Sequence, residues 1–231
     1  MSARIPGPSA VLFLARALAA IFALALFALS ALAPPAYAAE PVDRFTLETT
    51  AKVNGKKAWV NDAAVCPALL MPSRAATDTT EDESCYRAPT AACLARCESD
   101  SAGSCYWLGQ ALMQRKAPDR AYEVLFQRSC KLGQASGCTN RAAGMLVEQS
   151  DALPAQQCAA RTFEKTCALD DPWGCTMLGL HLSRGLGVAP NPKRALEVMR
   201  KSCKFGTDDP ACSYAMRIRR DIEQARSPAK K

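Results

Sequence analysis

The chain has 231 residues, a formal net charge of +7 and twelve cysteines, and 22% of its residues are charged. A positive surplus this small does not form the basic patch of a nucleic-acid-binding protein. The chain contains one histidine, which excludes metalloenzymes that need clustered histidines, and it lacks the Cys-x-x-Cys-His motif of covalent c-type haem attachment. We therefore predict no nucleic-acid partner, no metal and no cofactor.

The first 38 residues are predicted to be a secretory signal peptide. Arg4 supplies a positive n-region, residues 11–33 are almost entirely apolar, and Ala36-Tyr37-Ala38 is a small-x-small cleavage site. An uncleaved membrane anchor is the alternative, because the apolar run approaches the length of a bilayer span. Cleavage would leave residues 39–231 with a net charge of +5 in the periplasm or outside the cell. The membrane would then be involved only during export.

Residues 39–84 are predicted to form an N-terminal segment without helical periodicity. Apolar and polar residues alternate from Phe45 to Val53, Asn54-Gly55 follows, and a second short run ends at Val60. This pattern predicts a β-hairpin with a type I′ turn. Residues 72–84 are rich in Thr, Asp, Glu and Ser and are expected to form a linker.

Four cysteine pairs recur at a nearly constant spacing in the second part of the chain. Seven residues separate the two cysteines of a pair, eight in the last pair, and the first cysteines of successive pairs lie 33, 37 and 36 residues apart. The pairs are Cys97/Cys105, Cys130/Cys138, Cys167/Cys175 and Cys203/Cys212. A period in the thirties is typical of stacked supersecondary units, and cysteines of an exported chain are expected to be oxidised. We predict one disulfide per pair, flanking the turn between consecutive units.

Cys66, Cys85, Cys93 and Cys158 lie outside this period, and four cysteines allow three pairings. A Cys66–Cys85 bond would close a loop over the polar linker, and a free thiol at Cys158 is left open. Cys93 lies four residues before Cys97 and is expected to face the core. Zinc binding is the rival explanation, but only Cys93 and Cys97 have the close spacing of a ligand pair.

Residues 85–231 are predicted to form helix hairpins between the cysteines. A helix begins near each second cysteine and carries a small residue four positions later, such as Gly109 or Gly179. A second helix runs into the next cysteine with a shared apolar position four residues before it. The residues at this position are Phe126, Phe163 and Met199. Because one hairpin cannot bury its apolar face alone, the predicted fold is all-α, an α/α solenoid of disulfide-stapled hairpins.

The third unit has the most specific pattern. It reads Gly174-Cys175-x-x-Leu178-Gly179, then Gly185-Leu186-Gly187-Val188, then Asn191-Pro192-Lys193-Arg194-Ala195. This pattern resembles the Sel1-like repeat, a relative of the tetratricopeptide repeat, and the cysteine pairs resemble its secreted cysteine-rich subfamily, the Helicobacter cysteine-rich proteins. The resemblance covers about residues 89–226 and is poor in the second unit, where residues 150–156 replace the Gly-x-Gly-Val turn. It implies a right-handed superhelix with a concave binding face.

The resemblance also implies penicillin binding with weak β-lactamase activity as an alternative function, and haem binding by analogy with a mitochondrial relative. Serine β-lactamases need Ser-x-x-Lys at a helix start, and the only match, Ser227-Pro228-Ala229-Lys230, lies in the terminal tail. No Gly-x-Ser-x-Gly accompanies the single histidine, His181, so we interpret it as a packing residue. Asp170-Asp171 and Asp208-Asp209 precede helices and are interpreted as N-caps.

The predicted function is therefore an exported, non-catalytic scaffold that binds an unidentified protein or peptide in the cell envelope. Such solenoids present a groove lined by exposed residues of the first helix of each unit. The candidates, chosen by helix position, are Tyr106, Gln110, Gln114, Asn140, Arg141, Thr176, Leu180, Arg184 and Arg217.

Overall fold

The computed structural model describes residues 41–73, 83–149 and 152–226, and these residues form helices and turns without a β-strand. The helices belong to a unit that begins at Val42. In chain order they are α1 (Arg44–Asn54), α2 (Lys57–Ala63), α3 (Pro67–Leu70), α4 (Ser84–Arg87), α5 (Ala91–Glu98), α6 (Ala102–Gln114), α7 (Ala121–Lys131), α8 (Ala135–Glu148), α9 (Leu153–Ala168), α10 (Pro172–Arg184), α11 (Pro192–Val198) and α12 (Pro210–Arg226). Short 3-10 helices lie at Pro118–Arg120 and Met199–Cys203. The predicted signal peptide and the terminal Ser-x-x-Lys lie outside the described residues.

The predicted β-hairpin is wrong, because its residues form α1 and α2. The Oδ1 atom of Asp43 accepts a hydrogen bond from the Thr46 amide at 3.0 Å and caps α1. Gly55 has a φ of −69°, whereas a type I′ turn requires positive φ. The buried residues of α1 recur at helical spacing: Thr46, Thr49, Thr50 and Val53. The alternation of apolar residues misled the prediction because threonines supply much of the buried face.

The four predicted staples are present as disulfides: Cys97–Cys105, Cys130–Cys138, Cys167–Cys175 and Cys203–Cys212. Each joins the end of one helix to the first turns of the next, with Cα–Cα distances of 4.7, 4.4, 4.4 and 4.5 Å in chain order. In every stapled turn the third residue after the first cysteine has positive φ: Asp100 (70°), Gly133 (99°), Asp170 (57°) and Gly206 (100°). A residue in the left-handed conformation at this position ends the helix. The backbone amides that follow can then donate hydrogen bonds to the last carbonyl groups of that helix. The four turns therefore share one backbone geometry.

The second cysteine of each staple lies in the first turn of its helix, which confirms the prediction that a helix begins near it. Cys105 is fully buried in the first turn of α6, and the helix already begins at Ala102. The helix starts earlier because the Ser101 hydroxyl accepts a hydrogen bond from the Ser104 amide at 3.2 Å and caps it. The same offset is present in α8 and α10. The bond to Cys97 therefore holds a complete first turn against the preceding helix.

Helices that are neighbours in sequence pack against each other. We call α6, α8, α10 and α12, which each follow a stapled turn, the first helices, and α5, α7, α9 and α11 the second helices. On α7, Phe126 is buried against Gly109 of α6, where an added Cβ would lie 2.9 Å from its ring. Met199 packs in the same way on Gly179 of α10. The predicted apolar position before each cysteine is confirmed as core, since Phe163 is buried as well.

The helices α1, α2 and α3 pack against second helices, chiefly α7, and α3 also contacts α8 and α9. A disulfide joins Cys66, before α3, to Cys158 of α9, and another joins Cys85 to Cys93. The suggested Cys66–Cys85 bond and the free thiol at Cys158 are therefore wrong, whereas Cys93 faces the core as expected. No helix within the described ranges is both long and apolar enough to cross a membrane.

Candidate functional site

The first helices α6 and α8 flank a groove with a volume of about 540 Å³, which we call the α6–α8 groove. Gln110 lines one wall and Asn140 the other, so the structure brings these two predicted residues together. Tyr122 and Phe126 of α7 also line the groove. Two residues that the sequence analysis missed give it apolar rims, since Met113 is 43% exposed and Val147 is 76% exposed.

A simple extension of the predicted pattern finds Val147. The candidates Gln114 and Arg184 each lie nine residues after the second cysteine of their unit, and Val147 occupies the same position after Cys138. Val147 was not among the candidates, whose only aliphatic member is Leu180. Gln114 is exposed, as expected, but does not line the groove.

Tyr106 lies behind the groove and is partly buried. Its hydroxyl oxygen accepts a hydrogen bond from Nε2 of Gln110 at 2.8 Å. Burial raises the pKa of Tyr106, and side-chain hydrogen bonds with Gln110 and Asn140 oppose that rise without cancelling it. The phenol therefore stays neutral at physiological pH and orients the amides on both walls, so Tyr106 acts as a support for the groove.

Ion pairs beneath the groove neutralise its charges. Arg120 donates from Nη2 to Oε1 of Glu123 at 2.6 Å, and Arg141 lies 3.2 Å from Oε2 of the same carboxylate. Arg141 also lies 3.1 Å from Glu148. Burial raises the pKa of Glu123, and the charges of Arg141 and Arg120 oppose that rise. Gly144 makes room for this carboxylate, because an added Cβ would overlap it.

The expectation that Arg141 is exposed is wrong, because the residue is 5% exposed. Its Nε and Nη2 donate to the Ala63 carbonyl, at the end of α2, at 3.0 and 2.9 Å. The guanidinium thus joins the N-terminal segment to α8. Thr176 is buried too, and its hydroxyl donates to the Ala211 carbonyl of α12 at 3.1 Å. Leu180 belongs to the core.

Arg184 and Arg217 are exposed at the other end of the row of first helices. The guanidinium of Arg217 lies 5.0 Å from the ring centroid of Tyr214, which in turn lies 6.2 Å from that of Trp173. Arg184 lines a cavity of about 230 Å³ between α10 and α12. Neither Arg184 nor Arg217 lines the α6–α8 groove, so the predicted candidates do not form one cluster.

All twelve cysteines are in six disulfides, which indicates an oxidising, non-cytoplasmic environment. His181 is 1% exposed. Within the described ranges, no three His, Cys, Asp or Glu side chains are grouped so that they could hold a metal ion. No family model, no curated protein and no solved structure matches this chain.

Proposed function

We propose that this chain is an exported, non-catalytic scaffold of Sel1-like helix hairpins that binds a peptide or partner protein in the α6–α8 groove. One observation carries the proposal: a groove of about 540 Å³ between consecutive first helices has exposed apolar rims and amide side chains on both walls. Soluble proteins bury most of their large apolar side chains, and those left exposed beside a groove favour a binding role.

The chemistry of the groove suits an uncharged segment of polypeptide. Gln110 and Asn140 carry donors and acceptors that match backbone amide and carbonyl groups. Met113 is flexible and polarisable, and it can adjust to side chains of different shape. Because Arg120 pairs with Glu123 at 2.6 Å, the floor presents no free charge that would select a charged ligand. The expected ligand therefore offers a peptide backbone and an apolar side chain.

Export is the other part of the proposal. The N-terminal apolar run with its small-x-small site supports secretion, and six disulfides support an oxidising compartment. The repeated stapled turns support the superhelix that the Sel1-like resemblance implies. A stapled stack keeps the first helices in register, so a groove between two of them is preformed and loses little entropy on binding.

Selection from a displayed random-peptide library against the purified, oxidised chain tests the binding role. Val147→Asp places a charge on the apolar rim, and we expect it to weaken selected peptides about tenfold or more, the size of a typical hot-spot effect. Leu153→Asp is the matched control, because Leu153 is 57% exposed and is absent from the groove lining. Failure to enrich any peptide, or equal loss of binding in both variants, would contradict the proposal.

A further inference from the structure

His181 is the only histidine in the chain and braces the turn between α10 and α11. Its Nδ1 lies 2.7 Å from the Leu186 carbonyl oxygen, while the Leu186 amide donates to the His181 carbonyl at 3.0 Å. The turn is tight, with Gly185 at φ 71° and Gly187 at φ 64°. An added Cβ at Gly187 would overlap the backbone of Gln156, so the turn lies directly on α9.

The second ring nitrogen has no hydrogen-bond partner within the described residues. Because Nδ1 faces a carbonyl, it must carry the proton of the neutral ring, and Nε2 is then an unprotonated acceptor. The Phe163 ring meets the imidazole edge to face at a centroid distance of 5.2 Å, and Nε2 is buried without a partner. A proton added to Nε2 would have neither water nor an acceptor to stabilise it.

The elements packed against α10 are α8, α9, α11, α12 and the 3-10 helix Met199–Cys203. They contribute apolar side chains to one core cluster, including Ala142, Phe163, Ala195, Met199 and Ile218. Burial lowers the pKa of His181 below its ordinary value of 6.5, and the Leu186 carbonyl opposes that shift; no charged side chain is among the causes. On α8, Arg141 is buried but bound to Glu123 and Glu148. Arg194 of α11 and Arg219 of α12 are partly buried. The exposed charged residues of these elements include Glu164, Lys165, Glu197, Lys201, Arg217 and Asp221.

We propose that His181 is an acid-sensitive brace, whose protonation at Nε2 opens the turn between α10 and α11. The proton comes from solvent and no covalent bond changes. The closed turn keeps the imidazole in an apolar core, where a charge is costly. Opening residues 185–188 gives the charged ring access to water and loosens the contact of α11 with α10. The cavity of about 230 Å³ is lined by Arg184 of α10, Pro192 of α11 and Ile222 of α12, so its shape would change with the turn.

The direction of the pH effect follows from proton uptake. Above pH 6.5 the ring is neutral in both the closed and the open turn, and the brace has its full effect. As the pH falls below 6.5, the solvent-exposed ring of the open turn binds a proton that the closed turn does not. The ratio of open to closed turn then rises by up to about tenfold per pH unit until the lowered pKa of the closed state is reached.

Hydrogen exchange with mass spectrometry on the full oxidised chain tests the brace. We expect residues 185–188 to lose protection as the pH falls from 7.5 to 5, after correction for the intrinsic pH dependence of exchange. The stapled turn at Gly133 should not change. His181→Asn places an amide N–H at the position of Nδ1, so it keeps a donor for the Leu186 carbonyl without titrating, and protection of the turn should become independent of pH. Observing the same pH dependence in His181→Asn, or none in the natural chain, would overturn the proposal.

A second measurement does not depend on a variant. Because the chain has one histidine, its imidazole nitrogen resonances are assigned without ambiguity in a nitrogen-15-labelled sample. At pH 7 we expect the resonances of a neutral imidazole with its proton on Nδ1. We expect the ring to titrate only below pH 6.5, over the same pH range in which residues 185–188 lose their protection from hydrogen exchange. A folded chain whose histidine titrates at or above 6.5 would refute the brace. Neither experiment involves the α6–α8 groove, so the two proposals can fail separately.

Discussion

Removing the Cys66–Cys158 disulfide is expected to destabilise the chain more than removing a repeated staple. This bond has a sequence separation of 92, whereas Cys203–Cys212 has a separation of 9. The chain-entropy model assigns about 4.6 kcal/mol to the longer loop and about 2.6 kcal/mol to the shorter one at 25 °C. The three short disulfides inside the long loop shorten it only slightly. The expected difference is therefore about 2 kcal/mol.

The two bonds form a matched pair, because each joins a partly exposed cysteine to a buried one. Replacing both cysteines of either bond by alanine therefore removes a similar amount of buried sulfur. The assay is unfolding by urea under non-oxidising, thiol-free conditions, and the free energy of unfolding is extrapolated to zero urea. An equal loss in the two double variants, or a larger loss for Cys203→Ala/Cys212→Ala, would refute the argument that the long bond stabilises by joining the N-terminal segment to α9.

Two further changes are checked by the same unfolding measurement. Gly187→Ala is expected to lower the free energy of unfolding by about 2–5 kcal/mol, because position 187 has a positive φ and an added Cβ there overlaps the α9 backbone. At Gly206 φ is 100° but nothing lies within 4 Å of an added Cβ, so Gly206→Ala should lower the free energy of unfolding only through backbone strain. Equal losses for the two glycine variants would contradict a contribution from the overlap at Gly187. Arg141→Ala should cost about 3–5 kcal/mol, because it leaves the buried Glu123 short of a partner. The exposed Arg184→Ala should change stability by less than about 0.5 kcal/mol, and a similar effect of the two arginine variants would contradict the assignment.

The helices and staples after residue 85 were predictable because their signals are local and repeated. A disulfide between residues eight apart, such as Cys97 and Cys105, needs only a turn, and each copy of the pattern supports the others. The Cys85–Cys93 bond carries the same spacing and could have been found from it. It was missed because its position lies outside the period of the repeats.

The N-terminal segment was not predictable in the same way. Its alternating residues favour a strand in isolation, yet the segment forms helices that pack on α7 and α9. The surface that favours the helical conformation belongs to residues distant in sequence. The local pattern of apolar and polar residues therefore does not predict that conformation. The same reason applies to the candidate site. Gln110 and Asn140, chosen by helix position, line the α6–α8 groove. Arg141, one residue from Asn140, instead faces inward and donates to the Ala63 carbonyl.

The sequence by itself determined the spacing of the staples, the two helices that each staple joins, and the apolar residues that are buried before the cysteines. These depend on contacts between residues close along the chain, where geometry follows directly from spacing. Only the tertiary structure decided the partner of Cys66, the helical state of residues 44–63, and which first-helix residues remain exposed. Those outcomes depend on surfaces that meet from separate parts of the chain, and no short stretch of sequence contains both sides of such a contact.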